Sequence, residues 1–123
     1  MHSDDIRLRI INKAKELGWQ IATAESCTGG MVATRLTDPA GSSTAIAGGF
    51  VTYSNHMKRT LLNVPSSCLE TYGAVSAETV SAMVHGCLEK TGAQLAVSIS
   101  GVAGPGGGRD DKPVGTVHFG LLA

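Results

Sequence analysis

Short apolar runs alternate with helix-spaced repeats along this chain, and the alternation limits its fold more than any other feature. Ile6, Ile10, Ala14 and Leu17 recur at helical spacing across residues 4–17, with Ser3 placed to cap the start and Gly18 to end it. Trp19 to Glu25 is short and mostly apolar, as a strand is, and Gly29 to Leu36 follows as a second helix with no room for a long loop between. The apolar stretch from Thr44 to Tyr53 predicts a second strand. Ser54 or Asn55 can then cap a short helix carrying Lys58, Leu61 and Leu62. Pro65 and Gly73 bracket another short helix. Ser76 caps the longest, about residues 77–91, with Val80, Met83, Val84, Cys87 and Leu88 as its core stripe and Gly92 at its end. Leu95 to Ser100 has the low charge of a strand covered on both faces. After a loop from Gly101 to Pro113 with five glycines and two prolines, Gly115 to Leu122 makes a final strand. Strands and helices in this order predict an α/β layered fold with a mostly parallel sheet.

At 123 residues the chain suits one domain with a modest core. Acids and bases balance at ten each, which gives no charge asymmetry toward nucleic acid or an anionic membrane. Cys27, Cys68 and Cys87 are odd in number and lack CxxC spacing, so neither a disulfide framework nor a zinc site is expected. Free thiols suit a reducing cytoplasm. The polar start, Met1 to Asp5, has no signal-peptide core, and no apolar run is long enough to span a bilayer.

Ligands of open α/β sheets bind beyond the carboxyl ends of the strands. Three predicted loops lie there: Ser26–Gly30, Tyr53–Lys58 and Gly101–Gly108. In the first, Ser26 precedes Cys27, Thr28, Gly29 and Gly30 on a strand-to-helix turn. A hydroxyl there would stand beside backbone N–H groups and a helix dipole able to hold an oxyanion. The motif is not the GxSxG elbow, and the same residues also describe a plain N-cap serine. In the second loop, Lys58 would lie in a first helical turn, where burial and the dipole both disfavour the ammonium form. A lysine so shifted can replace histidine as the base for a serine, with Tyr53 relaying a proton or orienting the amine. A surface lysine beside a core tyrosine is the alternative. In the third, glycines let backbone N–H groups close on phosphate oxygens, with Arg109 and Lys112 adding positive charge, but a loose surface loop has the same composition. Cys27 is a rival nucleophile. His56 lies beside the candidate site, His85 falls in a helix and His118 in a strand. His56 could touch substrate or simply be solvated; neither His85 nor His118 has a ligand-spaced partner, so no metal is expected.

Taken together these segments resemble the CinA C-terminal domain family, which includes stand-alone nicotinamide mononucleotide deamidases. The resemblance rests on Thr23-Ala-Glu-Ser-Cys-Thr-Gly-Gly30, Gly49-Phe-Val-Thr-Tyr-Ser-Asn55 with Lys58, Gly73-Ala-Val-Ser76, Ser98-Ile-Ser-Gly-Val-Ala-Gly-Pro105 and Lys112-Pro-Val-Gly-Thr116. They run in collinear order over nearly the whole chain. The resemblance implies a three-layer α/β/α sandwich and conversion of nicotinamide mononucleotide to nicotinate mononucleotide with release of ammonia. It also implies serine–lysine amidohydrolase chemistry without metal or cofactor. Carried over by motif, Ser26 is the nucleophile, Lys58 the general base and Tyr53 the assisting residue. Cys27, Thr28, Gly29 and Gly30 would form the oxyanion hole. Asn55 and the run Ser100, Gly101, Val102, Ala103, Gly104, Pro105 and Gly106 would lie along the nucleotide. A small-molecule partner and a homo-oligomer are expected.

Members of the family continue past the position of Ala123 with further helix that packs on the sheet and supplies a basic residue near the phosphate. Residues 1–123 are accordingly expected to form a single domain without that last helical part. Two functions compete: an amidohydrolase, and a regulatory module that binds a nucleotide or phosphate without turnover. Pure binding has no use for an uncharged lysine, which favours the enzyme. An esterase or peptidase suits Ser26 but not the glycine loop.

Overall fold

The computed structural model describes residues 5–123. Its elements run α1 (Ile6–Leu17), β1 (Ile21–Glu25), α2 (Met31–Thr37), β2 (Ile46–Val51), α3 (Asn55–Leu62), α4 (Ser66–Tyr72), α5 (Ala77–Thr91), β3 (Leu95–Gly101) and β4 (Val117–Leu122), with a 3₁₀ turn at Ser42–Thr44 before β2. The strands form one sheet in the order β2-β1-β3-β4. β1 pairs in parallel with both β2 and β3, and β4 closes the edge antiparallel to β3. The sheet is therefore mostly parallel, flanked by helices, as the alternation of elements predicts.

Local chemistry sets the helix boundaries. Ser76 accepts a hydrogen bond from the Thr79 N–H at the start of α5, and Gly92 ends it in the left-handed conformation. Ser54, rather than Asn55, caps α3 by accepting from the Met57 N–H. Asp5 caps α1; the expected cap Ser3 lies outside the described residues.

One face of the sheet packs on α3, α4 and α5 through Ala22, Ala24 and Ala96 against Leu62, Val64, Leu69, Val80, Met83, Val84 and Cys87. Small residues on the strands bring α5 close to the sheet. The same economy holds between helices: a Cβ on Gly86 of α5 would fall on the Leu62 carbonyl of α3, so glycine alone lets these helices meet. Leu88 is only partly buried at the margin of this core.

The other face packs on α1 and α2 through Ile11, Ala14, Ile21, Leu36, Ala45 and Ile46. Here the expected stripe of α1 is corrected. Ala14 is buried, but its partner is Ile11, while Ile6, Ile10 and Leu17 stay substantially exposed along an apolar cleft with Trp19 and Leu95. Ile11 and Ala14 fit the i, i+3 spacing as well as the expected set does, and periodicity alone does not choose between adjacent stripes. The expectation that β3 is covered on both faces is met only in part. Ala96, Ser98 and Ser100 are buried, whereas Leu95 and Val97, which point the other way, remain half-buried. α2 is only seven residues long and makes most of its sheet contacts with β1 and β2, so that side of β3 is covered at Ile99 but only partly at Leu95 and Val97.

Candidate active site

Three chain segments leave the carboxyl ends of parallel strands side by side: Ser26 follows β1, Thr52 follows β2 and Val102 follows β3. The Thr52 N–H donates to the Glu25 carbonyl (2.8 Å) and the Ser26 N–H to the Ile99 carbonyl (2.9 Å), so the sheet ladder extends into the site.

Glu25 ends β1 fully buried and, among the described residues, without a basic partner. Its carboxylate accepts hydrogen bonds from Thr28 Oγ1 (2.6 Å) and the N–H groups of Val32 (2.9 Å) and Ala33 (2.9 Å). A buried charge is tolerable when it is this fully hydrogen-bonded at a helix N-terminus. The arrangement corrects one expectation. The first-turn amides of α2 serve Glu25, not the space beside Ser26, and the Gly29 N–H closes a turn on the Ser26 carbonyl (3.1 Å). Of the four residues expected to form an oxyanion hole, Cys27, Thr28 and Gly30 keep N–H groups with no acceptor among the described residues.

Lys58 is 1% exposed, the bulkiest of the fully buried side chains. Its Nζ lies 3.0 Å from Ser26 Oγ, 2.9 Å from the Thr52 carbonyl oxygen and 3.4 Å from that of Tyr53. No carboxylate among the described residues pairs with it. Burial therefore pushes the amine below its ordinary pKa, with Cys27 opposing the shift. A neutral amine has two N–H bonds and one lone pair. With the N–H groups given to the two carbonyls, the lone pair faces the Ser26 hydroxyl, the orientation a base needs.

Tyr53 meets Lys58 through its carbonyl, not its phenol. The side chain is 70% exposed on the rim and makes no hydrogen bond to Ser26 or Lys58, so the expected proton relay has no geometry here. Asn55 is exposed at the start of α3 and lies outside the cavity lining. His56 turns along α3 toward Thr60.

Ser26, Cys27, Tyr53 and Lys58 line a cavity of about 340 Å³ whose far wall is Ser100 to Gly104 with Gly106 and Gly107. That volume lies in the range of small-ligand sites. Pro105, expected among the nucleotide contacts, is outside the lining. Ser100 is corrected in role: its hydroxyl is buried and donates to the Ala74 carbonyl (2.8 Å). Gly101 is required by crowding, because a Cβ there would meet the Thr116 carbonyl at 2.6 Å and Cys27 Sγ at 3.1 Å. The N–H groups of Ala103, Gly104, Gly106, Gly107 and Gly108 have no acceptor among the described residues. Arg109 and Lys112, expected to lend charge to this loop, are engaged elsewhere. Arg109 pairs with Asp111 (3.4 Å), and Lys112 Nζ donates to the Tyr72 carbonyl (2.6 Å). Cys27 is half-buried, and burial pushes its thiol pKa up, which keeps it a poor rival nucleophile near neutral pH.

Sequence reasoning assigned no role to Ala74 and Val75, which complete the cavity wall, or to the Thr52 carbonyl that holds Lys58. The first two stand in a Gly-to-N-cap connection, Gly73 to Ser76, whose shortness was a usable signal. The third is a backbone group and leaves no mark in the sequence. Among the described residues no cluster of metal-ligating side chains forms, and no helix is long and apolar enough to cross a membrane.

The family model of the CinA C-terminal domain matches residues 3–123. A CinA-like protein of Leptospira biflexa is 50% identical over 119 residues, which are 97% of this chain and 28% of that protein. A protein of Enterobacter agglomerans named nicotinamide-nucleotide amidohydrolase PncC is 52% identical over 121 residues, 98% of this chain and 73% of its own. The crystal structure of the competence/damage inducible protein CihA from Agrobacterium tumefaciens superposes with a TM-score of 0.93 at 49% identity, covering 95% of this chain and 71% of that one. The chain thus spans little more than a quarter of the Leptospira relative and about three quarters of the shorter ones. With a family match over nearly its full length and that fold in common, this chain belongs to the CinA C-terminal domain family.

Proposed function

We propose that this chain hydrolyses the carboxamide of nicotinamide mononucleotide, giving nicotinate mononucleotide and ammonia, with Ser26 as nucleophile and Lys58 as base. The observation that carries the reading is a buried lysine amine, paired with no carboxylate among the described residues, 3.0 Å from a serine hydroxyl that lines the same cavity. The substrate class comes from the amidohydrolase similar to this chain.

Ser26 Oγ attacks the amide carbonyl carbon while its proton passes to Lys58 Nζ. The carbonyl oxygen takes up negative charge, and the N–H of Cys27, the one of the expected oxyanion-hole residues that lines the cavity, is the donor suited to meet it. Collapse breaks the C–N bond, and the proton held by Lys58 goes to the leaving nitrogen, which departs as ammonia. The nicotinoyl ester on Ser26 is then attacked by water, with Lys58 again taking the proton. Ser26 leaves as the alcohol and the product as a carboxylate. No redox step or metal is required for this balance. The open N–H groups of the Ala103–Gly108 loop are suited to oxygen acceptors on the nucleotide.

Ammonia release coupled to nicotinate mononucleotide formation tests the reading. Turnover by the wild type and its loss in Ser26→Ala are expected. Binding of the nucleotide without any ammonia would overturn it in favour of a binding module.

A further inference from the structure

Three consecutive carbonyls of the connection between α4 and α5 are each held by a side chain. The Gly73 carbonyl accepts from Ser76 Oγ (3.1 Å) and Thr79 Oγ1 (2.6 Å), and the Ala74 carbonyl from the buried Ser100 Oγ. The Tyr72 carbonyl, at the C-terminus of α4, accepts from Lys112 Nζ at 2.6 Å. An ammonium group there meets the negative end of the helix. The first two anchors belong to α5 and β3 and are largely buried. The third comes from the tip of the glycine loop.

That loop is a tied strap. Its neck is closed by the Val102 N–H donating to the Thr116 carbonyl (2.8 Å) and the Gly115 N–H to the Val102 carbonyl (2.7 Å). Its tip is a tight turn in which Arg109 and Lys112 exchange backbone hydrogen bonds (2.9 and 3.1 Å). The strap residues form one wall of the Ser26 cavity, and Ala74 and Val75, just past Tyr72, form another. Among the described residues, Lys112 makes the single side-chain hydrogen bond from residues 102–113 to the end of α4, two residues before that second wall begins.

We propose that Lys112 is a positioning residue: by pinning the strap tip to the end of α4 it fixes the width of the cavity away from Ser26, and so sets how tightly the non-reacting part of the substrate is held. This rests on the amidohydrolase reading of the Ser26 site. It also replaces the expectation that Lys112 serves as a charge for the phosphate. A latch and a phosphate ligand differ in what they do to a substrate without phosphate. A latch shapes the cavity for both substrates, whereas a phosphate ligand acts on one.

The test compares wild type, Lys112→Met and Lys112→Arg on nicotinamide mononucleotide and on nicotinamide riboside, with amide hydrogen exchange of the strap measured on the free proteins. For Lys112→Met we expect KM to rise about tenfold for both substrates, the loss of one charged hydrogen bond, with kcat falling by less. Lys112→Arg, which can still donate to the Tyr72 carbonyl, should restore most of the affinity. Exchange at the hydrogen-bonded strap amides of Val102, Arg109 and Gly115 should quicken in Lys112→Met while β1 and β3 stay protected. A KM rise confined to the phosphorylated substrate would overturn the latch and make Lys112 a phosphate ligand. Unchanged exchange in the strap would overturn it independently of any turnover. If the wild type releases no ammonia from either compound, the amidohydrolase reading fails, and the exchange comparison still decides whether Lys112 holds the strap.

Discussion

Lys58 Nζ and Ser26 Oγ stand 3.0 Å apart, although Ser26 lies in the turn after β1 and Lys58 in α3 after β2, 32 positions further along the chain. The contact exists because β1 and β2 are adjacent and parallel, so that the turn after one strand faces the first helical turn after the other. The expected consequences for catalysis and stability follow from what surrounds this pair.

Ser26→Ala should lower ammonia release by at least ~10³-fold while the thermal midpoint stays close to wild type, because the side chain is small and its neighbours are unmoved. Rescue by Cys27 is not expected, since burial keeps that thiol protonated near neutrality. Single-turnover assays on the variant check this, and near wild-type release would exclude Ser26 as nucleophile.

Lys58→Arg should be nearly as inactive as Lys58→Ala, each losing at least ~10²-fold in kcat. Arginine keeps a positive charge but does not give up its proton near neutral pH. Substantial activity in the arginine variant would mean that the side chain acts only as a charge and that another group deprotonates Ser26.

The pH dependence has a definite sign. Because burial lowers the Lys58 pKa, kcat/KM should rise as the pH climbs through that value and then level off, and the rising limb should vanish in Lys58→Ala. Stability moves the same way. Between the lowered folded value and the ordinary lysine value the unfolded chain binds more protons than the folded one, so raising the pH stabilises the fold, and the gain is complete above the ordinary value. The thermal midpoint of the wild type measured against that of Lys58→Met should therefore improve from neutral pH toward pH 10. A difference that stays flat would show that Lys58 is not held neutral.

Glu25→Gln should destabilise the fold by ~2–3 kcal/mol, because an amide cannot accept from Thr28 Oγ1 and both α2 N–H groups while its own NH₂ faces one of them. Activity should fall further than stability explains, since the same carboxylate shapes the turn that carries Ser26. Chemical denaturation and kcat on the folded variant separate the two effects.

Gly86→Ala should cost ~1–3 kcal/mol, the range for overpacking a well-filled contact, because the added methyl falls on the Leu62 carbonyl. Leu62 lies one helical turn from Lys58, so the strain should also appear as a lower kcat. A neutral effect on both would show that α3 can slide away from α5 without disturbing the base.

Much of this was legible in the sequence. Ser76, Gly92 and the stripe from Val80 to Cys87 place α5 almost to the residue, because capping and periodicity act locally. Ser26 and Lys58 were nameable for the same reason, each sitting beside a turn that its neighbours dictate. The misreadings came from relations between distant segments. Ile11 displaced Ile6, Ile10 and Leu17 in the core because α2 and the 3₁₀ turn, not α1 itself, decide which side of the helix is covered. Tyr53 offers Lys58 its carbonyl instead of its phenol, while its ring stays exposed at the rim. The α2 dipole, expected to favour an anion beside Ser26, is met instead by Glu25, whose carboxylate accepts from amides seven and eight residues later in the chain.

In the parallel ladder of β1 and β2, Glu25 is opposite Val51, and Thr52 is the next residue bound to it. Successive residues of a strand face opposite sides, so a slip of one position would exchange the places of Glu25 and its neighbours across the sheet. The clamp would lose its helix amides at the same moment as the hydroxyl lost its amine. Strand pairing thus works as a quality check on the site: a molecule that pairs β1 and β2 out of step loses the Ser26–Lys58 contact on which the proposed hydrolysis rests.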